Sequence, residues 1–529
     1  MPSSFVNHWL LAASLLSSTS PSSTITGFTF GHHRRRTSSS CHPSHRTLLR
    51  PRSPSLDTPV LLAKPIASSE QNIPSLDTHY NRFHRFRTPP HNAPHINNIL
   101  LLSDLHCDYS SNRDWLEGIC NNQDENDSNT MLLVAGDVSH NIGILRWTFR
   151  TLKRKFGEVA FTPGNHDLWI DKKRKQRIAT TLDSDDGSNS DRGITNGEGD
   201  GCTNSIEKLE KILQLCIDEG VRVGPIQVDS LLVVPLLSWY HSSFDSEPDI
   251  DSECWKGIPS ARKVVADYRK AKWPEPLSPF DDSVAHFIDE LNDVILDFDS
   301  FKDGTADEAT TILSFSHFLP RIDLIPEKRY LSLPTLHSCV GSTFLEARLR
   351  GLTNRYDDRR LGNTSNSHSS NHLHAFGHSH LSWDATLDGV RYVHVPLAYP
   401  REWEQRRRSL EIGTMKGDVS DQRYPVCIWE KQISSTKGSE VALSSAEYIK
   451  SGFPQEWLGG WWSKYYDIMP RQPHRNKELA PWAARRFRQQ PGGLIENFDH
   501  IWVEKRHKLQ HPSYWSAGTG NWYKRADMK

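Results

Sequence analysis

Three short apolar runs decide how this sequence reads: Asn98-Ile-Leu-Leu-Leu-Ser-Asp-Leu-His106, Met131-Leu-Leu-Val-Ala-Gly-Asp137 and Val159-Ala-Phe-Thr-Pro-Gly-Asn-His-Asp167. Each is four or five apolar or small residues long, suits a buried strand, and breaks into polar residues at its carboxyl end. Between the second and third, Leu145, Phe149, Leu152 and Phe156 keep helical spacing. Strands alternating with helices predict an α/β layout, and the carboxyl ends of such strands are where ligands gather.

The same pattern recurs downstream. A helix is expected from Ile206 to about Ile217, then a hairpin of Arg222–Val228 and Leu231–Leu237 turning at Asp229-Ser230. Further strands are expected at Thr311–Phe315, Leu373–Phe376 and Tyr392–Leu397. The first of these runs on to His317, and the second to Gly377-His378-Ser379-His380. Two polar stretches, 183–204 and 354–371, read as surface insertions, and no repeat at a fixed period is visible.

The strand ends therefore present Asp104, His106, Asp137, Asn165, His166, His317, His378 and His380. Carboxylate, imidazole and amide oxygen are ligands for borderline metals such as Mn, Fe and Zn. In extended backbone, residues two apart point the same way, so Asp104 with His106, and His378 with His380, can each converge. Glycines before Asp137, Asn165 and His378 allow sharp turns and close backbone approach. Seven ligands suffice for two metals if one carboxylate bridges them.

This ordered set resembles the signature of the calcineurin-like metallophosphoesterase superfamily, over roughly Asn98 to Ala398. The resemblance implies a four-layer αββα sandwich of two mixed β-sheets, with a binuclear metal site at the strand ends. It implies that Asp104, His106 and His380 hold one metal, that Asn165, His317 and His378 hold the other, and that Asp137 bridges them. His166 would contact phosphate and protonate the leaving oxygen after a metal-activated water attacks phosphorus, as an imidazole titrating near neutrality suits. Asp167 would either orient His166 or bond the backbone.

Two subfamilies do not fit. Serine/threonine phosphatases continue Gly-Asp with Val-Asp-Arg-Gly, and purple acid phosphatases place a Tyr three after this Asp, whereas here Gly136-Asp137-Val-Ser leads to His140. His140 reads as solvated or as a substrate contact. Four segments resemble plant and algal members: Ser238–His241, Ser316–Arg321, Pro396–Glu402 and Leu458–Trp462. Within them Arg321 is a candidate phosphate clamp and His241 a candidate pocket residue, while Trp239 and Tyr240 read as packing. The implied enzyme is a metal-dependent phosphoester hydrolase acting on a phosphorylated small molecule or another phosphoester. A nucleotide or lipid phosphodiesterase, a metal-dependent nuclease and a catalytically silent module on the same fold remain open.

Composition narrows the classes. The 529 residues carry a net charge of −1, which gives no field for nucleic acid, and no apolar run reaches the roughly 20 residues of a membrane span. Eight dispersed cysteines include no C-x-x-C pair, so no zinc ribbon or dense disulfide framework is expected. Residues 1–56 contain Ser, Arg and a short apolar run but, before Asp57, no acidic residue, and read as a targeting leader for a plastid, with the mitochondrion or the cytoplasm as alternatives. Residues 57–95 read as a Pro- and His-rich linker, 96–435 as the catalytic domain, and 436–529 as an aromatic and Arg-rich extension that caps it.

Overall fold

Each of the three deciding runs is a strand, and the three lie side by side in parallel. They are β2 (Asn98–Ser103), β3 (Asp127–Ala135) and β4 (Phe156–Thr162). The computed structural model describes residues 74–121, 127–170, 200–297, 311–360, 372–402, 425–432, 450–454 and 461–480, with isolated positions beyond. The leader 1–56, residues 183–199 and 361–371 of the two insertions, and most of the C-terminal extension lie outside the described residues.

One sheet has the order β12-β11-β2-β3-β4, where β11 (Val426–Gln432) and β12 (Lys450–Gly452) add antiparallel neighbours to the parallel core. The other has the order β1-β5-β6-β7-β8-β10-β9. Its members are β1 (His91–Asn92), β5 (Ile226–Val228), β6 (Leu231–Pro235), β7 (Thr311–Phe315), β8 (His372–Phe376), β9 (Trp383–Leu387) and β10 (Val390–His394). Here β6, β7, β8 and β10 run parallel while β5 and β9 pair antiparallel, so both sheets are mixed, as expected. One continuous apolar core takes Leu101, Leu133 and Phe161 from the first sheet and Val233, Phe315, Phe376 and Tyr392 from the second. Val134 and Val233, fully buried, show why the deciding runs are apolar throughout: parallel strands are covered on both faces.

The helices follow the apolar spacing. In α3 (Ile142–Lys153), Leu145, Phe149 and Leu152 are fully buried, and the Asn141 side chain caps the first turn by accepting from the N–H groups of Gly143 and Ile144. In α4 (Ser205–Asp218) Asn204 does the same for Ile206 and Glu207, so the polar stretch expected over 183–204 ends as a helix cap. The hairpin turns at Asp229-Ser230 as expected, but Arg222 bridges to Ala160 instead of opening the strand.

Two sequence expectations need correction. Within the linker expected over 57–95, residues 74–95 belong to the fold: α1 (Pro74–Phe83) leads to Phe83, Phe86 and Ala93, all buried in the main core, and β1 joins the second sheet. The linker's Pro and His content hid the few apolar anchors. The polar insertion expected from 354 begins as the end of α8 (Thr343–Arg360), which Leu345, Leu349 and Leu352 seat on the core. Of residues 436–529, α9 (Trp461–Ile468) sets the Tyr465 hydroxyl 2.8 Å from that of Tyr330, and Arg471 donates to Glu247 at 2.7 Å.

Register brings the strand ends level. Ser103 pairs with Ala135 and Ala135 with Thr162, while Phe315 pairs with Ala375. The turns that follow β2, β3, β4, β7 and β8 therefore open on one rim.

Candidate metal centre

Those five turns converge. Asp104, His106, Asp137 and His380 offer ligand atoms that all lie within 4.8 Å of one another, and Asp137, His317 and His378 form a second such group. Asp137 belongs to both. The Asn165 side-chain oxygen sits 3.0 Å from His317 Nε2 and 2.9 Å from His378 Nδ1, which places it with the second group. All seven candidate ligands are thus together, and all but the half-buried His378 are buried.

The backbone reaches this arrangement by an unexpected route. Asp104, His106, Asp137, His378 and His380 have φ of 54, 43, 54, 74 and 56°. These are left-handed conformations, not the extended ends that the alternation argument assumed. Each costs an L-residue about 1–2 kcal/mol, and strain of this kind is held where surrounding structure over-determines it, commonly at functional sites. Asp104 shows how it is held: its Oδ1 accepts the His378 N–H at 2.9 Å, and its Oδ2 accepts from the Ser103 hydroxyl at 2.6 Å and from His394 Nε2 at 3.1 Å.

The glycines are needed for space. A Cβ on Gly136 would stand 2.4 Å from His317 Nδ1, and one on Gly164 would stand 2.2 Å from Asp137 Oδ1 and 2.7 Å from the Asp137 backbone nitrogen. Gly164→Ala should cost about 1–3 kcal/mol, the usual range for overpacking, and displace Asp137. Thermal melts and elemental analysis of the variant check this; unchanged metal content with unchanged melting temperature would contradict the close packing.

The imidazoles are oriented from behind. His317 Nδ1 donates to the Ala135 carbonyl at 2.9 Å, His378 Nε2 to the Cys339 carbonyl at 3.0 Å, and His380 Nδ1 to Glu402 Oε2 at 2.7 Å. In His317 and His378 the carbonyl fixes the proton on the outer nitrogen and the inner one turns a lone pair inward, the arrangement that metal-ligating histidines adopt, while Glu402 orients His380. Burial holds His106 down at about 3 and His317 at about 4, so both are neutral donors near pH 7. Against burial, Glu402 and Asp104 push His380 up to about 10. Burial, with Asp167 and Asp104 nearby, drives Asp137 well above the usual carboxylate range, so its ionised form calls for positive charge. Imidazoles, an amide oxygen and a shared carboxylate are a donor set suited to divalent cations, whose binding would displace the His380 proton.

Around the cluster, Asp167 takes the second of its two expected roles. Its carboxylate accepts from the backbone N–H groups of Asp137, Val138, Ser139 and Gly164 at 2.8–2.9 Å, binding the turns after β3 and β4 together. The His166 backbone N–H donates to Asp137 Oδ1 at 2.9 Å, and its Nε2 lies 3.9 Å from Asp137 Oδ2. The near-neutral titration expected of His166 is corrected: burial, then His106 and His380, holds it well below the ordinary value. His140 pairs with Asp108 at 3.1 Å and stays part-exposed.

Two expected substrate contacts are corrected. Arg321 bonds Asp323 at 3.0 Å, Glu346 at 3.3 Å and Asp388 at 2.7 Å, so carboxylates outside the cluster already occupy its guanidinium. His241 is buried; its Nε2 accepts the Thr343 N–H at 3.0 Å, satisfying a free donor at the start of α8. Trp239 and Tyr240 are buried packing residues, as read, although the Tyr240 ring also lies over that of His378 at 6.5 Å.

Four contributors escaped the sequence reading. Glu402 and His394 brace His380 and Asp104. Tyr399 stacks on His106 at 4.2 Å and sets its hydroxyl 3.1 Å from His166 Nε2. Asp267 accepts from Asn165 Nδ2 at 2.9 Å and from Trp169 Nε1 at 2.7 Å. Glu402 and Tyr399 sit in the Pro396–Glu402 segment singled out above, the one available signal.

The chain is similar to known proteins. Residues 98–256 match the family described as Calcineurin-like phosphoesterase. The chain is 24% identical over 319 residues to the "[Acyl-carrier-protein] phosphodiesterase PptH" of Mycobacterium tuberculosis (strain ATCC 25618 / H37Rv), covering 58% of this chain and 79% of the relative. The crystal structure of Phosphopantetheinyl Hydrolase (PptH) from Mycobacterium tuberculosis aligns with a TM-score of 0.37 and 20% identity, over 59% of this chain and 94% of that one. The family match runs through Asp104, Asp137 and Asn165-His166-Asp167, and the fold carries the same rim on to His317, His378 and His380. The family match over residues 98–256 and the buried Asp/His cluster together support membership of the metallophosphoesterase superfamily and a phosphoric ester hydrolase.

Proposed function

We propose that the chain hydrolyses a phosphodiester at a two-cation centre, with Asp104, His106 and His380 holding one divalent ion and Asn165, His317 and His378 the other. Asp137 is the shared ligand. One observation carries the reading: two ligand groups overlap at Asp137 alone. When bound, cations so placed neutralise phosphoryl oxygens and lower the pKa of a coordinated water. Mn, Fe and Zn all suit the donors.

The chain's own residues supply the rest. His166, beside Asp137, holds a proton for the leaving oxygen, and an anionic ester next to its ring favours the charged imidazole that burial alone disfavours. Trp169, its ring 3.6 Å from that of His166, and Tyr399 wall the imidazole and keep water from it.

One point favours a diester over a monoester: the Mycobacterium tuberculosis relative is named a phosphodiesterase. Turnover of bis(p-nitrophenyl) phosphate should therefore exceed that of p-nitrophenyl phosphate with added Mn²⁺. Acyl carrier protein bearing phosphopantetheine is the first natural substrate class to try. Faster turnover of the monoester would reverse the assignment.

A plastid address for residues 1–56 is part of the proposal, supported by their acid-poor, Ser- and Arg-rich composition. A full-length fluorescent fusion that stayed in the cytosol would dismiss it and leave the chemistry untouched.

A further inference from the structure

Asn165 is an amide, and an amide offers a cation its oxygen but presents its nitrogen with equal ease. What faces the other end decides which. In this chain that partner is Asp267, the first residue of the short helix α6 (Asp267–Lys270), which follows the brief α5 (Ala261–Val264). Asp267 is 2% exposed, and its Oδ1 accepts from Asn165 Nδ2 at 2.9 Å. An ionised carboxylate accepts only, so it selects the nitrogen and turns the oxygen toward His317 and His378. The same Oδ1 also accepts from Trp169 Nε1 at 2.7 Å. The Trp169 ring lies against His166 at 3.6 Å, and Lys270 Nζ stands 3.8 Å over the Trp169 ring. The Ile170 N–H donates to the Lys270 carbonyl at 3.0 Å, so α6 grips the turn after β4 at both ends.

We infer that Asp267 is a positioning residue that couples the two halves of the reaction, fixing the Asn165 oxygen toward the second cation position and the Trp169 ring behind the acid His166. The inference rests on the two-cation reading above and deepens it. It also fills a gap left by the sequence: Asp137 is not followed by the Asp that would orient the acid in serine/threonine phosphatases, and Asp167 is committed to backbone. The orienting carboxylate comes instead from a segment about 100 residues further on, acting through an indole.

The test uses the full chain stripped of metal and titrated with Mn²⁺ by calorimetry, with Co²⁺ absorption as a separate signature. Asp267→Ala should leave the first equivalent as in wild type and weaken the second by about 10–100-fold, the usual effect of losing an outer partner of a ligand. Asp267→Asn, which keeps the shape, should fall between, because an amide accepts either orientation of Asn165. Trp169→Phe should leave both equivalents unchanged yet slow alkyl diesters more than aryl ones. Equal weakening of both equivalents, or none, in both Asp267 variants would overturn the inference and leave the two-cation reading in place. A wild-type chain that takes up no second equivalent would overturn both.

Discussion

Asp137→Asn is expected to strip both cations at once and to abolish hydrolysis while the fold survives. Its Oδ1 lies 3.3 Å from His317 Nε2 and its Oδ2 lies 4.0 Å from His106 Nε2, so this carboxylate faces both ligand groups. The amide keeps the shape and can still accept the His166 N–H through its oxygen. It cannot balance two positive centres. Removing one partner from a buried charge pair costs about 3–5 kcal/mol. Affinity at each position should thus fall by about 10²–10⁴-fold, since 1.36 kcal/mol corresponds to tenfold. Asn165→Ala should remove mainly the second ion, so the pair of variants separates a shared ligand from a private one. Elemental analysis beside thermal melts decides the matter. Two retained equivalents in Asp137→Asn, or a wild-type enzyme active with one, would end the bridging assignment.

The strand-end cluster was legible because each member depends on residue type and place together: an apolar run, then a carboxylate, imidazole or amide where the strand stops. The register that levels Ser103, Ala135 and Thr162 turns that linear order into a rim. The outer partners were not legible. Asp267 lies 102 positions from Asn165, and His394 lies 290 from Asp104, with no spacing in the chain to announce either pairing. The misread residues fail for a related reason. His241 follows a strand-forming run just as His317 does, but it faces the first N–H of α8 and not the rim. Arg321 stands four after His317 in sequence, yet Asp323, Glu346 and Asp388 draw it away. The left-handed backbone at five cluster positions was equally hidden, since Asp and His carry no mark as clear as glycine for that conformation. Strand β11 went unseen because Val426–Gln432 mixes Ile428 and Trp429 with Glu430 and Lys431 and shifts register between Cys427 and Trp429, so it shows neither an apolar run nor a strict alternation.

His166→Ala is expected to lower kcat by about 10²–10⁴-fold, the usual contribution of general-acid catalysis, with metal content nearly unchanged. The geometry separates the two effects. The His166 backbone N–H, which the substitution keeps, makes the 2.9 Å bond to Asp137 Oδ1, whereas the ring touches Trp169 and Tyr399. The ring's value to the reaction lies in a proton, so the loss should be large for alkyl leaving groups and small for activated aryl ones, whose oxygen departs without help. The pH dependence has a fixed sign. Burial holds the imidazole well below its ordinary value, so in free enzyme the charged form is lost as pH rises from the acid side. Acid-assisted turnover of alkyl diesters should accordingly decline with rising pH, and this limb should vanish in His166→Ala while remaining slight for aryl substrates in both proteins. Equal losses on alkyl and activated aryl esters would remove His166 from the acid role and assign it to binding the phosphoryl group, in which case KM, and not the leaving-group dependence, would carry the change.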